Sequence, residues 1–486
     1  MLMPHTNPGD DLSLNSAPLA RRQVVLVLFF AVVLLGNQLQ NEVLYSVDGI
    51  VYTLIGKELA RRPLTEWALL TWNGQPFFEH PPLTPWLLAL SIRWLGVSTF
   101  AVLLPIALLS VATTYLAYRL GRVLLDHRLG LLTAIVLVLT PEFVRGGRNP
   151  MLEPALMFFV MLAVYCHVES TRPQRFVGYS LMAAVSVGLA LLAKGPPALL
   201  ALGVIGAFQA AAWSFPRGVG GFRLPARKMA VQAAMLLLIP TAVALLFDLW
   251  SRHVAGESFI AHYVSHQLDF TIVQARGAVS NDWTYYLRTF IRYWPWWPFV
   301  LAGIGVVAWQ RDVRAVPALT IGIAVTGGTY LGFSAMGHKS EWYVAIHYVG
   351  SSLLAALALR PLLSVRILDR YFQRFVLGIT IPLLLLSAIA PSVFLQYSRP
   401  FERFLDRAQV ELRDTLAGEA VADCVGVEPW KGPFFLAFYL GTSKTECGDT
   451  NARYRLVDTR NEVMRDGERI VFSQQPFSIV SRPGAH

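Results

Sequence analysis

Long runs of apolar residues dominate this chain of 486 residues and limit what it can fold into. A helix that crosses a bilayer needs roughly 20 mostly apolar residues, and about eleven runs approach that length. They lie near residues 24–38, 100–117, 129–144, 152–168, 176–193, 197–213, 229–250, 297–309, 317–336, 344–359 and 375–395. Only 15% of the residues are charged, against about 25% in soluble proteins. The sequence therefore predicts an all-α polytopic membrane protein and excludes a disordered chain.

Charged residues between these runs predict how the chain crosses the membrane. Basic residues, which are retained in cytoplasmic loops, cluster in alternate connections, beginning with Arg21 and Arg22 before the first run. The connections on the opposite side collect acidic residues instead. This pattern places the N-terminus in the cytoplasm and, with an odd number of spans, the C-terminal tail outside. Because the basic residues mostly flank apolar runs, the net charge of +10 indicates membrane lipids and no nucleic acid as partners.

The tail differs in kind from the rest of the chain. Residues 397–486 are more charged and contain strand-like runs at 434–439 and 469–472, which predicts a small α/β domain after a membrane domain of residues 1–396. Cys424 and Cys447 both lie in this tail. On an oxidising face two thiols favour a disulfide, although two free thiols remain the alternative.

The first outer connection carries two candidate groups of polar residues. Asp48 opens a segment through Arg62 that is typical of an amphipathic helix, where an acidic residue also complements the helix dipole. Glu79 and His80 stand beside Pro81-Pro82, which forces an extended backbone. A carboxylate and an imidazole are thus held next to a stiff stretch of chain.

Further carboxylates and cations lie in the other outer connections. Glu153 begins an apolar run, either as a helix cap or as a buried carboxylate with Arg148 as a possible partner. Lys194 stands between two apolar runs, where a lysine can reach the headgroups or bind a phosphate. His262 and His266 share one helix face and could bind a metal with Glu79, although interfacial histidines are the simpler interpretation.

This distribution indicates chemistry at the outer membrane interface. Carboxylates could act as a general base on an acceptor hydroxyl, and Lys and Arg could stabilise a phosphate leaving group. The sequence contains no Walker loop and no Rossmann glycine pattern, which favours a donor activated on a lipid. A transporter would instead carry ionisable residues in mid-span, where this chain has almost none.

The ordered motifs resemble those of bacterial glycosyltransferases of the GT-C fold. That group includes the aminoarabinose transferase to lipid A and the protein O-mannosyltransferases. The resemblance covers roughly residues 24–350. Its motifs are Asp48 with the helix through Arg62, Phe77-Phe78-Glu79-His80-Pro81-Pro82-Leu83, Arg148-Asn149-Pro150-Met151-Leu152-Glu153, Leu192-Ala193-Lys194-Gly195-Pro196, Ala261–His266, Arg276-Gly277, and Lys339–Tyr343.

The resemblance implies roles for individual residues. Asp48 takes the place of the family's catalytic carboxylate, and Glu153 stands at a second acidic position that is usually Asp. Glu79 and His266 match positions at which some members bind a divalent metal such as Zn, Mg or Mn. The lipid-phosphate pocket would be formed by Arg148, Lys194, Arg276, Lys339, Tyr343 and His80, the last of which replaces a common lysine.

The implied activity is inverting transfer of a sugar from a polyprenyl (undecaprenyl) phosphate to an outer-face acceptor. Lipid A or another cell-envelope glycolipid is the expected acceptor, and the protein would lie in the inner membrane with its active site and tail in the periplasm. Transfer to protein hydroxyls, or transport of a lipid-linked sugar, are the alternatives.

Overall fold

The computed structural model describes residues 16–42, 44, 46–72, 74–214, 221–268, 282–337, 339–389, 404, 407–408, 411–412, 415–423, 443–446, 452–460, 466–475 and 477–482. In chain order the helices are α1 (Ser16–Gly36), α2 (Val47–Ala60), α3 (Leu83–Leu95), α4 (Thr99–Leu124), α5 (His127–Val138), α6 (Pro141–Gly146), α7 (Glu153–Ser170), α8 (Phe176–Lys194), α9 (Leu200–Ala212), α10 (Ala226–Ala255), α11 (Phe259–His262), α12 (Tyr285–Tyr293), α13 (Trp297–Gln310), α14 (Val316–Ser334), α15 (His347–Leu359) and α16 (Val365–Ile389). Every apolar run predicted from the sequence overlaps these helices, although the run at 129–144 is divided between α5 and α6 and the run at 375–395 continues past the described residues.

Seven helical segments of the described chain are long and apolar enough to cross a membrane. They are Pro18–Gly36, Thr99–Leu124, Glu153–Ser170, Pro173–Lys194, Ala226–Ala255, Val313–Ser334 and Glu341–Leu359. Shorter apolar helices accompany them at Leu83–Leu95, His127–Val138, Pro196–Ala212 and Trp297–Gln310. The prediction of an all-α polytopic membrane protein is thus confirmed.

Helices α7 and α15 form the centre of the bundle. Both are buried over most of their surface, whereas α10 exposes most of its apolar side chains, as expected where a helix faces lipid. Helix α7 packs against α4 and α8, and α15 packs against α13 and α14. A Cβ on Gly303 would collide with the Leu354 carbonyl, so this glycine permits the close approach of α13 to α15.

The bundle has two distinct ends. Helix α7 begins at Glu153 at the end where α1 and α8 finish, and α2, α3 and α6 lie in the connections there. We call this the site end. The far end is where α1 and α8 begin and α7 finishes, and Asp126 binds Arg360 there at 2.6 Å.

The first connection at the site end folds as the sequence predicts. Helix α2 starts after Ser46, whose Oγ accepts a hydrogen bond from the Gly49 amide at 3.3 Å. Strands β1 (Thr71–Trp72) and β2 (Gln75–Pro76) then form a short antiparallel pair. Pro81 and Pro82 are both buried and lead directly into α3. This stiff segment fixes the position of Glu79 and His80.

The tail contains a five-stranded mixed sheet, as expected for a small α/β domain. Its strands are β3 (Ala420–Asp423), β4 (Ser443–Glu446), β5 (Tyr454–Asp458), β6 (Arg469–Gln474) and β7 (Phe477–Ser481), in the order β4-β3-β5-β7-β6. Strand β3 is parallel to β4 and β5, and β7 is antiparallel to β5 and β6. The predicted strand at 469–472 lies within β6. The other predicted strand at 434–439, both tail cysteines and the boundary at 396 lie outside the described residues.

Candidate functional site

The first turn of α2 places the predicted catalytic carboxylate at the site end. Asp48 is exposed, and Tyr52 lies one turn further along the same helix face with only 3% of its surface exposed. Burial raises the pKa of Tyr52 well above its usual value, and the charges of Asp48, Glu153 and Glu79 raise it further. Tyr52 is therefore neutral and lies within electrostatic range of all three carboxylates.

Glu153 and Lys194 form a buried ion pair beside this tyrosine. Glu153 begins α7 and Lys194 ends α8, so two packed helices bring the side chains together. The Lys194 ammonium binds Glu153 Oε1, and the side chains are 11% and 5% exposed. Among the described residues, Glu153 Oε2 has no hydrogen-bond partner. One carboxylate oxygen is thus buried and available to a ligand.

Tyr343 covers the other side of Lys194. The Lys194 Nζ lies 4.2 Å from the centre of the Tyr343 ring, which attracts the cation through the face of its π system. Gly195 follows Lys194 with a φ of +70°, and a Cβ there would meet the Tyr263 hydroxyl at 2.6 Å. The turn after α8 therefore requires glycine, and this turn ends the helix at Lys194.

His80 contacts the same group of residues. Its half-buried ring packs edge-on against Tyr52, with the ring centres 5.4 Å apart. Burial, together with the positive charge of Lys194, lowers the pKa of His80 to about 3. The imidazole is therefore neutral at physiological pH and adds no fixed positive charge to a phosphate pocket.

Arg148 does not form the predicted pair with Glu153. Its guanidinium instead binds Glu42 and donates hydrogen bonds to the carbonyls of Leu34 and Asn37, at 3.1 and 2.8 Å. Carbonyls at the end of a helix lack partners within the helix, and Arg148 supplies them here. The predicted pairing was wrong because the end of α1 competes for this cation.

Lys339 also binds a helix end. Its Nζ donates to the carbonyls of Ser334 and Met336, at 3.0 and 2.7 Å, where α14 finishes. Burial lowers the pKa of Lys339. Its ammonium lies 5.9 Å from the centre of the Tyr286 ring. A role in phosphate binding remains a prediction.

The predicted metal ligands are only partly described. Glu79 is exposed, and the side chain of His266 lies outside the described residues, as does all of Arg276. Within the described ranges, no three His, Cys, Asp or Glu side chains form a group that could hold a metal. His262 stacks on Phe78 with ring centres 4.6 Å apart, and its Nε2 binds Glu257 at 2.7 Å. Metal binding by Glu79 and His266 therefore stays a prediction.

The residues that do come together combine three chemical capacities. Asp48 offers an exposed carboxylate, Lys194 a cation held in place by Glu153, and Tyr52 a buried phenol within electrostatic range of Asp48 and Glu153. Sequence reasoning missed Tyr52, although its position four residues after Asp48 was the signal. A carboxylate can accept a proton, and a nearby cation can hold an anion. Together they are suited to displacing an anionic leaving group.

The whole fold matches solved structures of the GT-C class of membrane proteins. ArnT from Cupriavidus metallidurans bound to undecaprenyl phosphate superposes with a TM-score of 0.66 at 15% identity, over 94% of this chain and 97% of that chain. The oligosaccharyltransferase AglB from Archaeoglobus fulgidus gives a TM-score of 0.51 at 12% identity, over 92% and 70%. The chain therefore has the GT-C fold, as the resemblance in its motifs predicted.

Sequence comparisons match part of the chain. Residues 79–245 match the family model described as dolichyl-phosphate-mannose-protein mannosyltransferase. An uncharacterised protein of Aquifex aeolicus is 31% identical over 27% of this chain and 26% of its own length. The putative mannosyltransferase YycA of Bacillus subtilis is 27% identical over 27% of this chain and 19% of its own. The chain thus spans about a quarter or less of the length of these two relatives. The family model covers the part of the chain that carries Glu79, His80, Glu153 and Lys194.

Proposed function

We propose that this protein is an inverting membrane glycosyltransferase that uses a sugar linked to a polyprenyl phosphate. The observation that carries the proposal is the buried Glu153–Lys194 pair beside Tyr52, with the exposed Asp48 carboxylate within electrostatic range of the same tyrosine. The GT-C fold and the matched segment support the same reaction class. Most described ionisable groups lie at the helix ends, which favours an enzyme over a transporter.

The reaction follows from the charges of the site. Asp48 accepts the proton of an acceptor hydroxyl, and the acceptor oxygen then attacks the anomeric carbon from the face opposite the phosphate. The bond from the anomeric carbon to the phosphate oxygen breaks, and the lipid phosphate leaves with the electron pair. Lys194 stabilises the charge that develops on this phosphate. Attack from the opposite face inverts the anomeric configuration.

The proposed acceptor is a cell-envelope glycolipid such as lipid A, and the proposed location is the inner membrane with the site end toward the periplasm. The basic residues that precede the first apolar run support this orientation. A reporter enzyme that is active only outside the cytoplasm, fused after Gly96 at the site end, should be active. The same reporter fused after Thr171 at the far end should be inactive, and the reverse pattern would contradict the orientation.

The activity itself is tested by mass spectrometry of envelope lipids and glycans from cells with and without the protein. Loss of a sugar from a glycolipid is the expected result. Loss from a protein hydroxyl would identify the protein O-glycosyltransferase alternative. An unchanged set of envelope lipids and glycans would contradict a transferase.

Asp48→Asn tests the proposed base. Transfer by the purified protein should fall by roughly 10²–10⁴-fold, the usual contribution of general acid–base catalysis. Glu66→Gln is the matched control, because Glu66 is an exposed carboxylate in the same connection. Transfer at the wild-type rate by Asp48→Asn would remove the base assignment.

A further inference from the structure

The hydroxyl of Tyr263 lies over the turn that follows Lys194. A Cβ added to Gly195 would stand only 2.6 Å from this oxygen and 3.0 Å from the ring carbon that bears it. Gly195 comes directly after Lys194, whose ammonium is held by Glu153 and covered by Tyr343. The phenol therefore reaches the backbone next to the cation of the site. Nothing in the proposed transfer step uses Tyr263.

The segment before Tyr263 holds this hydroxyl in place. Asp248, which is 5% exposed near the end of α10, accepts hydrogen bonds from the Ser258 hydroxyl at 2.7 Å and from the Ile260 amide at 2.8 Å. Phe259 is buried and stacks on the Tyr263 ring, with ring centres 5.6 Å apart. A carboxylate on α10 thus fixes the short helix α11, and α11 carries the ring that aligns Tyr263.

The hydroxyl of Tyr263 is available to a ligand. The side chain is half-buried, and its oxygen makes no hydrogen bond with any described residue. Burial raises the pKa of Tyr263 to about 12, so the phenol keeps its proton at physiological pH and can donate it in a hydrogen bond. Tyr263 also begins a π-helical stretch, Tyr263–Leu268, and such stretches are rare and frequently lie at functional sites.

The backbone of the turn after Lys194 offers no hydrogen-bond donor of its own. The amides of Gly195 and Ala198 already donate to carbonyls, at 2.7 and 3.0 Å, and the two prolines between them have no amide hydrogen. A phosphate bound to Lys194 still has oxygens that accept further hydrogen bonds. The Tyr263 hydroxyl can supply one of these bonds without adding a charge.

We propose that Tyr263 is a second binding residue for the lipid-linked phosphate and that its hydroxyl donates to a phosphate oxygen held by Lys194. This inference rests on the proposed function, which supplies the identity of the phosphate. Lys194 provides the charge, whereas Tyr263 fixes the orientation of the phosphate, because a hydroxyl donates along one direction. The same hydrogen bond stabilises the phosphate when it leaves.

Binding of two lipids that differ only in the phosphate tests this proposal without transfer. Undecaprenyl phosphate and undecaprenol are each titrated into the purified full-length protein in detergent, and native mass spectrometry measures the bound fraction. Tyr263→Phe should raise the Kd of undecaprenyl phosphate roughly 3–10-fold, the loss expected for one hydrogen bond, and leave that of undecaprenol unchanged. Tyr179→Phe is the matched control, because it removes the hydroxyl of a half-buried tyrosine near the far end of α8.

The outcomes separate this inference from the proposed function. Wild-type affinity for undecaprenyl phosphate in Tyr263→Phe would overturn the inference and leave the proposed donor intact. Equal weakening of both lipids would give Tyr263 a structural role and would also overturn it. A wild-type protein that binds the two lipids equally would contradict the proposed donor itself. Once transfer is measured, Tyr263→Phe should raise the donor KM and leave the acceptor KM unchanged, whereas the opposite split would contradict phosphate binding by Tyr263.

Discussion

Helix α7 carries a buried glutamate near each end, and the two differ in how completely they are paired. Glu169 at the far end is 1% exposed and binds Arg172 and Arg175 through one oxygen, while its other oxygen accepts a hydrogen bond from Tyr165 at 3.4 Å. Among the described residues, Glu153 at the site end has a single cation, Lys194, and an oxygen with no partner.

This difference distinguishes a structural carboxylate from one that is prepared for a ligand. The arginines at Glu169 are about half exposed, so that pair joins the bundle to its water-facing surface. Lys194 is only 11% exposed, and its charge is held inside the site. A buried ion pair with spare hydrogen-bonding capacity is costly for stability alone. The incomplete pairing of Glu153 among the described residues is consistent with the proposed role of this end in binding a ligand.

Within this comparison, the largest expected effect comes from neutralising one glutamate at a time. Glu153→Gln removes the charge that holds Lys194, so transfer should fall on the order of 10²–10³-fold, as when an electrostatic contact to the transition state is lost. Glu169→Gln should leave transfer nearly unchanged and lower the free energy of unfolding by about 1–3 kcal/mol, since hydrogen bonds to charged groups are lost. Rates of transfer and thermal unfolding of both variants measure the contrast. Equal losses of transfer in the two variants would contradict the difference between the two glutamates.

The next largest effect separates the cation at Glu153, which is Lys194, from a cation at Glu169, which is Arg175. Lys194→Ala should raise the donor KM by roughly 10–150-fold, because a hydrogen bond to a charged group contributes about 1.5–3 kcal/mol. The acceptor KM should change much less. Arg175→Ala is the matched variant, since it removes a cation from Glu169 while Arg172 remains. A donor KM in Lys194→Ala equal to that of the wild type would leave Lys194 with a structural role.

The sequence predicted which end of the bundle collects the candidate site residues, and the reason is physical. Charges are costly inside a bilayer, so their positions between apolar runs identify the helix ends, and Asp48, Glu153, Lys194, His80 and Tyr343 indeed meet there. Helical periodicity fixes the face of a residue but not its partner on another helix. The sequence therefore could not show which of several nearby acceptors a given cation would bind.

The aromatic residues also show that the sequence does not predict contacts between distant segments. The Trp-rich segment near Trp294 is typical of a headgroup-level belt, and composition alone favours that interpretation. In the structure Trp294 is instead buried between α12 and α15 and stacks on Phe290 with ring centres 5.4 Å apart. Packing between distant segments decides this placement. No local pattern in the sequence carries that information.

The smallest effect concerns His80 and sharpens the assignment of charge at the site end. Burial and Lys194 lower the pKa of His80 to about 3 in the folded protein, whereas an unfolded histidine has a pKa of about 6.5. The imidazole is then neutral throughout pH 5–8, and its titration should not appear in the pH profile of transfer. His80→Gln should therefore keep the shape of that profile.

The free energy of unfolding should depend on the titration of His80 even though the pH profile of transfer does not. Between pH 3 and pH 6.5 the unfolded chain binds a proton at His80 that the folded protein does not bind, so the free energy of unfolding rises with pH in this window. Above pH 6.5 the contribution of His80 is constant. Comparing urea unfolding of the wild type and His80→Gln at pH 4.5 and pH 7 measures the difference, and the variant should lose less stability on acidification. If acid destabilised both proteins equally, His80 would not be held neutral beside Lys194, and the positive charge at the site end would have to be shared between the two.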